Sequence, residues 1–184
     1  RMSDVKTLGV VGAGPMGQMG ILCAKALGAT VIAVDVRANR LEQAKKAGAD
    51  HLINSAETSP VEEILHLTGG KGVDTAIDCS GNPDAQNDAL NAVKKQGRVA
   101  FIGESKKTTI NPSDQYLRKM LTVVGNWYFP VWEYREITDF IVRHGLALEN
   151  YVTRVYSLDE AQRAYEQFDR YETGIVVFTA TGRG

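Results

Sequence analysis

The sequence predicts an α/β fold, a doubly wound six-stranded parallel sheet followed by a C-terminal strand-helix-strand extension. Three observations carry that expectation. Apolar runs of strand length alternate with helical patterns along most of the chain. The runs are nearly continuous in Val, Ile and Ala, as in strands buried on both faces by helices. The first run ends in a glycine-rich turn, "GVVGAGPMGQMG" (residues 9–20), where a strand gives way to a helix.

Taken in order, "TLGVVG" (7–12) is the first strand. Pro15 to Leu27 is a helix, with Met16, Met19, Leu22, Ala26 and Leu27 at helical spacing and Gly28 as its stop. "TVIAVD" (30–35) is the second strand, and "RLEQAKKAG" is a helix carrying a Glu42–Lys46 pair and ending at Gly48. "HLIN" (51–54) is the third strand. The helix after it is opened by a Ser59/Glu62 capping box with Pro60 at its first position. "VDTAIDCSG" (73–81) is the fourth strand, Asn82 and Pro83 open a helix to about Val93, and "GRVAFIG" (97–103) and "LTVVGNW" (121–127) are the fifth and sixth strands. A helix over 132–143 completes a domain placed at 1–150. The extension at 151–184 has a strand near 152–156, a helix opened by a Ser157/Glu160 capping box, and a last strand, "GIVVF".

With 184 residues, 43% of them hydrophobic and 23% charged, the chain has the composition of an ordinary globular protein with one core, which excludes disordered and fibrous classes. Its 21 Lys and Arg offset 22 Asp and Glu, leaving no basic footprint for nucleic acid or an acidic membrane surface. No run approaches the roughly 18 apolar residues of a membrane span, and no basic-then-apolar export signal opens the chain. Cys23 and Cys79 form neither a short-spaced metal motif nor a disulfide framework, so the expected compartment is the cytoplasm.

Gly12, Gly14 and Gly17 fall where the first strand becomes the first helix, the context in which G-x-G-x-x-G carries meaning. Gly12 permits a tight turn, Gly14 lets a pyrophosphate approach the backbone, and Gly17 lets the helix lie close to the strand. The helix N-terminus meets the anion with free N–H groups and a partial positive charge. The motif also requires an acidic residue at the end of the second strand, about 20 residues on, to bind the adenosine ribose. Asp35 stands there. A carboxylate at that place repels a 2′-phosphate and favours NAD over NADP, while Arg37 and Arg40 nearby keep NADP as the alternative. A plainer reading has Asp35 capping the helix that follows.

Five stretches taken together, "VVGAGPMG", "AVDVRANRLEQAKKAGADHLIN", "GVDTAIDCSGN", "GRVAFIG" and "SLDEAQRAYEQF…TGIVVF", resemble in order and spacing the second half of the medium-chain dehydrogenase/reductases, particularly the zinc-dependent alcohol, polyol and threonine dehydrogenases. The resemblance implies a Rossmann dinucleotide-binding domain. Gly12, Gly14, Pro15, Met16 and Gly17 would hold the pyrophosphate, and Asp35 the adenosine ribose, with Val36 and Arg40 beside the adenosine. Cys79, Ser80 and Gly81 would lie along the cofactor. Backbone at Ile102, Gly103, Val124, Gly125 and Asn126 would meet the nicotinamide and its carboxamide.

The resemblance also implies a homo-oligomer acting on a small alcohol or polyol. It further implies a catalytic half with zinc held by Cys, His and a carboxylate, so the start at Arg1 reads as the family's domain junction and the chain as part of a longer dehydrogenase. No catalytic or metal-binding residue is assigned within this chain: His51, His66 and His144 are scattered over separate elements and read as solvated or locally bonded. The aromatic run "NWYFPVWEY" reads as core and helix-entry packing, or else as a surface for the catalytic half, a second subunit or substrate. Two other readings stay open, a stand-alone NAD-binding regulatory or redox-sensing module and a hydroxyacyl-CoA-type dehydrogenase, which shares a "GAGPMG"-like opening.

Overall fold

In a computed structural model, which describes residues 5–180, six strands run parallel in one sheet. They are β1 (Thr7–Val11), β2 (Thr30–Asp35), β3 (His51–Asn54), β4 (Val73–Asp78), β5 (Val93–Phe101) and β6 (Thr122–Gly125), in the spatial order β3-β2-β1-β4-β5-β6. The helices between them are α1 (Pro15–Ala26), α2 (Ala38–Lys46), α3 (Pro60–Leu67) and α4 (Pro83–Ala92). Parallel neighbours need crossovers; these helices supply four of them, and the fifth, from β5 to β6, runs through a short helical turn at Pro112–Leu117. The order reverses between β1 and β4, and at such a reversal the loops diverge and leave a crevice beyond the strands' C-terminal ends.

The apolar runs of β1 and β2 are buried on both faces, as their composition predicts, whereas β6, at the sheet edge, is mostly exposed. Val11, Ile32, Val34 and Ile53 share one cluster with Ile64 of α3 and Leu90 of α4. Val10 turns the other way, toward Gly17 of α1, where Ile21 and Ala24 are also buried. This first compact unit runs to Ile137 and the second begins at Thr138, so the division falls inside α5 (Tyr134–Arg143).

Helix signals hold closely. Gly28 and Gly48 take positive φ after α1 and α2, and the Ser59 hydroxyl accepts from the Glu62 amide at 3.4 Å, which is the first half of the expected box. Asn82 caps α4 by accepting from the amides of Asp84 and Ala85. Strand ends differ more. β4 stops at Asp78 because its carboxylate turns back to collect the following amides, and β5 starts at Val93, directly after α4. Its register against β4 jumps from Val73↔Val93 to Thr75↔Arg98, leaving Lys94–Gly97 as a bulge. A single wide helical turn at Pro112–Leu117, with no expectation behind it, is pinned by the buried Gln115 side chain, which donates to Asn87 and Asn91 of α4.

In the second unit β7 (Val152–Ser157) and β8 (Ile175–Thr179) pair in parallel across α6 (Ala161–Asp169), the strand-helix-strand order expected. The Ser157/Glu160 capping box forms, with the Glu160 carboxylate accepting from the Ser157 amide at 3.1 Å. Tyr156 and Ala164 supply its buried apolar contacts. The start at Arg1 lies outside the described residues.

Candidate functional site

The glycine turn is built from backbone. The Gly12 amide donates to the Val34 carbonyl at 2.9 Å, and a Cβ on Gly12 would come within 2.9 Å of the Ser80 backbone and side chain, so only glycine lets β1 pass this close to the loop after β4. Gly17 lies against the Gly12 carbonyl, where any Cβ would collide. Gly14 differs. It is the N-cap of α1, with extended backbone, no side-chain cap and nothing within 4 Å of where a Cβ would stand. Pro15 and the exposed Met16 follow it, and no acidic side chain occupies the first turn, so the positive end of α1 opens onto empty space at the topological reversal.

Asp35, at the end of β2, reaches the same turn. Its Oδ2 accepts from the Ala13 amide at 2.8 Å, and its Oδ1 accepts from the Arg37 amide at 2.9 Å. One carboxylate therefore ties the glycine turn to the residue that precedes α2, but it does not cap that helix: Arg37 is the N-cap, and no side chain caps it. Val36 is exposed next to it, whereas Arg40 is buried, at 4% exposure. The Arg40 guanidinium donates to Gln43 Oε1 at 3.2 Å, and the same oxygen accepts from Gln18 Nε2, which also donates to the Ala13 carbonyl. Arg40 thus belongs to a side-chain chain under the turn.

Asp78 organises the loop after β4. It is fully buried, and its oxygens accept from the Ser80 amide (3.0 Å) and hydroxyl (2.6 Å), the Gly81 amide (3.2 Å) and Gln86 Nε2 (3.0 Å). Four donors satisfy a carboxylate that burial would otherwise penalise severely. Cys79 anchors the loop from below through its amide, which donates to Val11 at 2.8 Å, and burial, with the neighbouring Asp78 adding to it, pushes its thiol up to about 12. The Ile102 and Gly103 amides both donate to the Asp78 carbonyl at 2.9 Å, and a Cβ on Gly103 would stand 2.1 Å from the Gly81 nitrogen. The ends of β1, β4 and β5 therefore meet as bare backbone.

At the edge of the sheet Val124, Gly125 and Asn126 are exposed, and the Asn126 amide donates to Phe101 at 3.2 Å. Of the sixteen residues expected at the cofactor, the structure gathers those after β1, β2, β4, β5 and β6 at one end of the sheet, and turns Arg40 inward. Core packing does not describe the aromatic run: Trp127, Tyr128 and Trp132 are 70%, 77% and 83% exposed. Sequence reasoning missed Asp78, Gln86 and Gln18. The order Asp-Cys-Ser-Gly after an apolar run is a turn signal that could have exposed the first, since Asp side chains bond amides two residues on. A buried glutamine on a helix carries no such signal.

A cavity of about 490 Å3 lies instead at the N-terminal ends of β4 and β5, among Leu65, Asn91 and four lysines. There Lys94 pairs with Asp74, and Lys119 donates to the Leu90 and Asn91 carbonyls that end α4. Strand-end geometry, rather than cavity size, marks the candidate site. Among the described residues no group of three or more His, Cys, Asp or Glu could hold a metal ion, and no helix is long and apolar enough to cross a membrane.

A family model described as zinc-binding dehydrogenase matches residues 15–143. The chain is 37% identical over 177 residues to an L-threonine 3-dehydrogenase of Pyrococcus horikoshii, covering 94% of this chain and 51% of that protein. It is 34% identical over 181 residues to an NAD-dependent alcohol dehydrogenase of Sulfurisphaera tokodaii, covering 91% and 48%. The solved structure of an alcohol dehydrogenase from Thermus sp. ATN1 matches with a TM-score of 0.88 at 30% identity, over 95% of this chain and 51% of that one. The chain belongs to the zinc-binding dehydrogenases, the zinc-type branch of the medium-chain dehydrogenases. It spans about half the length of the relatives it matches.

Proposed function

We propose that residues 1–150 are the NAD(H)-binding domain of a zinc-type alcohol or polyol dehydrogenase, and that residues 151–184 are an extension belonging with the remainder of that enzyme. The observation that carries this reading is the open N-terminus of α1: Gly14 has empty space where a Cβ would stand, no side chain caps the helix, and Asp35 stands beside it. The arrangement fits a pyrophosphate on the helix end and a ribose near Asp35. NAD is favoured over NADP because a carboxylate repels a 2′-phosphate and Arg40 is turned inward. The dependence on NAD named for the Sulfurisphaera relative points the same way.

The dinucleotide supplies the hydride acceptor for oxidation of an alcohol to a carbonyl compound, and zinc, in the full-length enzyme, a Lewis acid. This chain's own residues bind, orient and exclude water, and the chain alone is expected to bind NAD(H) and turn over no alcohol. Calorimetric titration with NAD⁺, NADP⁺ and their reduced forms, on the parent chain and on Gly14→Val, tests the reading. Gly14→Val keeps the fold because the added side chain enters open space, and it removes NAD binding because the same space is the proposed phosphate seat. Equal binding of NAD⁺ by both proteins would sink the proposal. Turnover of a simple alcohol by this chain would refute its catalytic part.

A further inference from the structure

Gln86 lies on α4 at 5% exposure, and its side chain bonds the end of β4 and two points of the segment after β5. Its Nε2 donates to Asp78 Oδ2 at 3.0 Å and to the Gly103 carbonyl at 3.1 Å, and its Oε1 accepts from the Thr108 hydroxyl. Asp78 in turn holds the Ser80 and Gly81 amides. The loops after β4 and β5 are thereby joined through a single amide, at the point where Gly81 and Gly103 backbones touch. Without it the Gly103–Thr109 stretch keeps the Gly103 amide bond to Asp78, Asn87 of α4 donating to the Thr109 carbonyl at 3.1 Å, and within itself Ser105 bonding Lys107 and Thr108.

We propose that Gln86, acting with Asp78, is a positioning residue that fixes these two loops as one wall for the nicotinamide half of the dinucleotide. This rests on the dinucleotide-binding reading above. A dinucleotide lying across the reversal puts its adenosine half over β1 and β2, where the glycine turn and Asp35 stand, and its other half over β4 and β5. Gln86 touches only the second side. Its amide has both a donor and an acceptor face, and this place uses both at once, donating to a carboxylate and a carbonyl and accepting from a hydroxyl, which neither Glu nor Leu can do.

The test separates the two halves of the ligand. NADH and ADP-ribose, which lacks the nicotinamide, are titrated calorimetrically into the parent chain, Gln86→Leu and Thr108→Val. The second variant removes only the Thr108 hydroxyl, with its bonds to Gln86 and Ser105, at a half-buried place and keeps side-chain shape, so it folds even where the first fails. The expected result is a loss of NADH affinity of about tenfold in Gln86→Leu and about threefold in Thr108→Val, with ADP-ribose affinity held within about twofold. A general structural role would move both ligands together, and that outcome overturns the proposal. So does unchanged NADH affinity in both variants, or a parent chain that binds NADH no more tightly than ADP-ribose. A parent chain that binds neither ligand overturns the dinucleotide-binding reading itself.

Discussion

A Cβ on Gly17 would stand 2.0 Å from the carbonyl oxygen of Gly12, whereas a Cβ on Gly14 would meet nothing within 4 Å. Two glycines three residues apart in one motif therefore do different work. Gly17 lets α1 lie against β1, and Gly14 keeps the end of α1 clear.

Gly17→Ala is accordingly expected to lower stability by about 2–4 kcal/mol, because the obstructing atom is backbone that cannot step aside. Gly14→Ala should change it by less than about 1 kcal/mol. Urea unfolding of the two variants checks this, and equal effects would contradict the packing described for the turn.

Asp35→Ala strands the buried Ala13 amide that the Asp35 carboxylate satisfies. Losing that partner should cost about 1–3 kcal/mol. Any loss of cofactor binding in this variant then mixes the proposed ribose contact with a loosened turn, which is why Gly14→Val is the cleaner probe. Faster amide exchange at Ala13 is the measurement, and an unchanged rate would separate Asp35 from the turn.

Asp74 gives stability a pH dependence. Burial raises its carboxyl, but donors from Lys94, the Thr7 amide and hydroxyl, and the Lys6 amide outweigh burial and hold it below the usual carboxylate range. A depressed folded-state pKa contributes stability above the unfolded-state value, and that contribution is lost as pH falls through the folded-state value. Asp74→Asn should therefore be less stable than the parent by about 1–2 kcal/mol at pH 7, with the gap narrowing steadily in acid. Unfolding free energies of both proteins at pH 7, 5 and 3 test it, and a gap constant with pH would contradict the assignment.

Burial raises both thiols, Cys23 and, more strongly, Cys79. Since the thiolate is the reactive form, neither should be modified by iodoacetamide at pH 8 on the timescale that labels a free cysteine peptide, and both should react once urea unfolds the chain. Mass spectrometry of the native protein reads this directly. Prompt labelling of Cys79 would mean that the loop after β4 opens.

Regular elements were legible from local chemistry. The runs at 7–12 and 30–35 read as buried strands because nothing polar interrupts them, and Gly28, Gly48, Ser59 and Asn82 marked helix ends because their effect is confined to one turn. The candidate site was legible where a motif ties residue type to backbone geometry, at Gly12, Gly14 and Gly17, and by spacing at Asp35. The same reasoning could not foresee that Arg40 turns inward or that Lys94–Gly97 bulges from β5, and it left the aromatic run open between core and surface, where the structure exposes it.

By itself the sequence determined the order of strands and helices, the parallel sheet they must form, and the turn whose glycines only a close backbone crossing explains. Tertiary structure alone decided which polar groups meet. Asp78, Gln86 and Thr108 come from a strand, a helix and a loop, and their bonds span up to 22 residues in sequence. Such contacts leave no periodic trace, because they depend on where the packed backbones put each donor and acceptor, and a buried donor takes whichever acceptor the fold brings within reach.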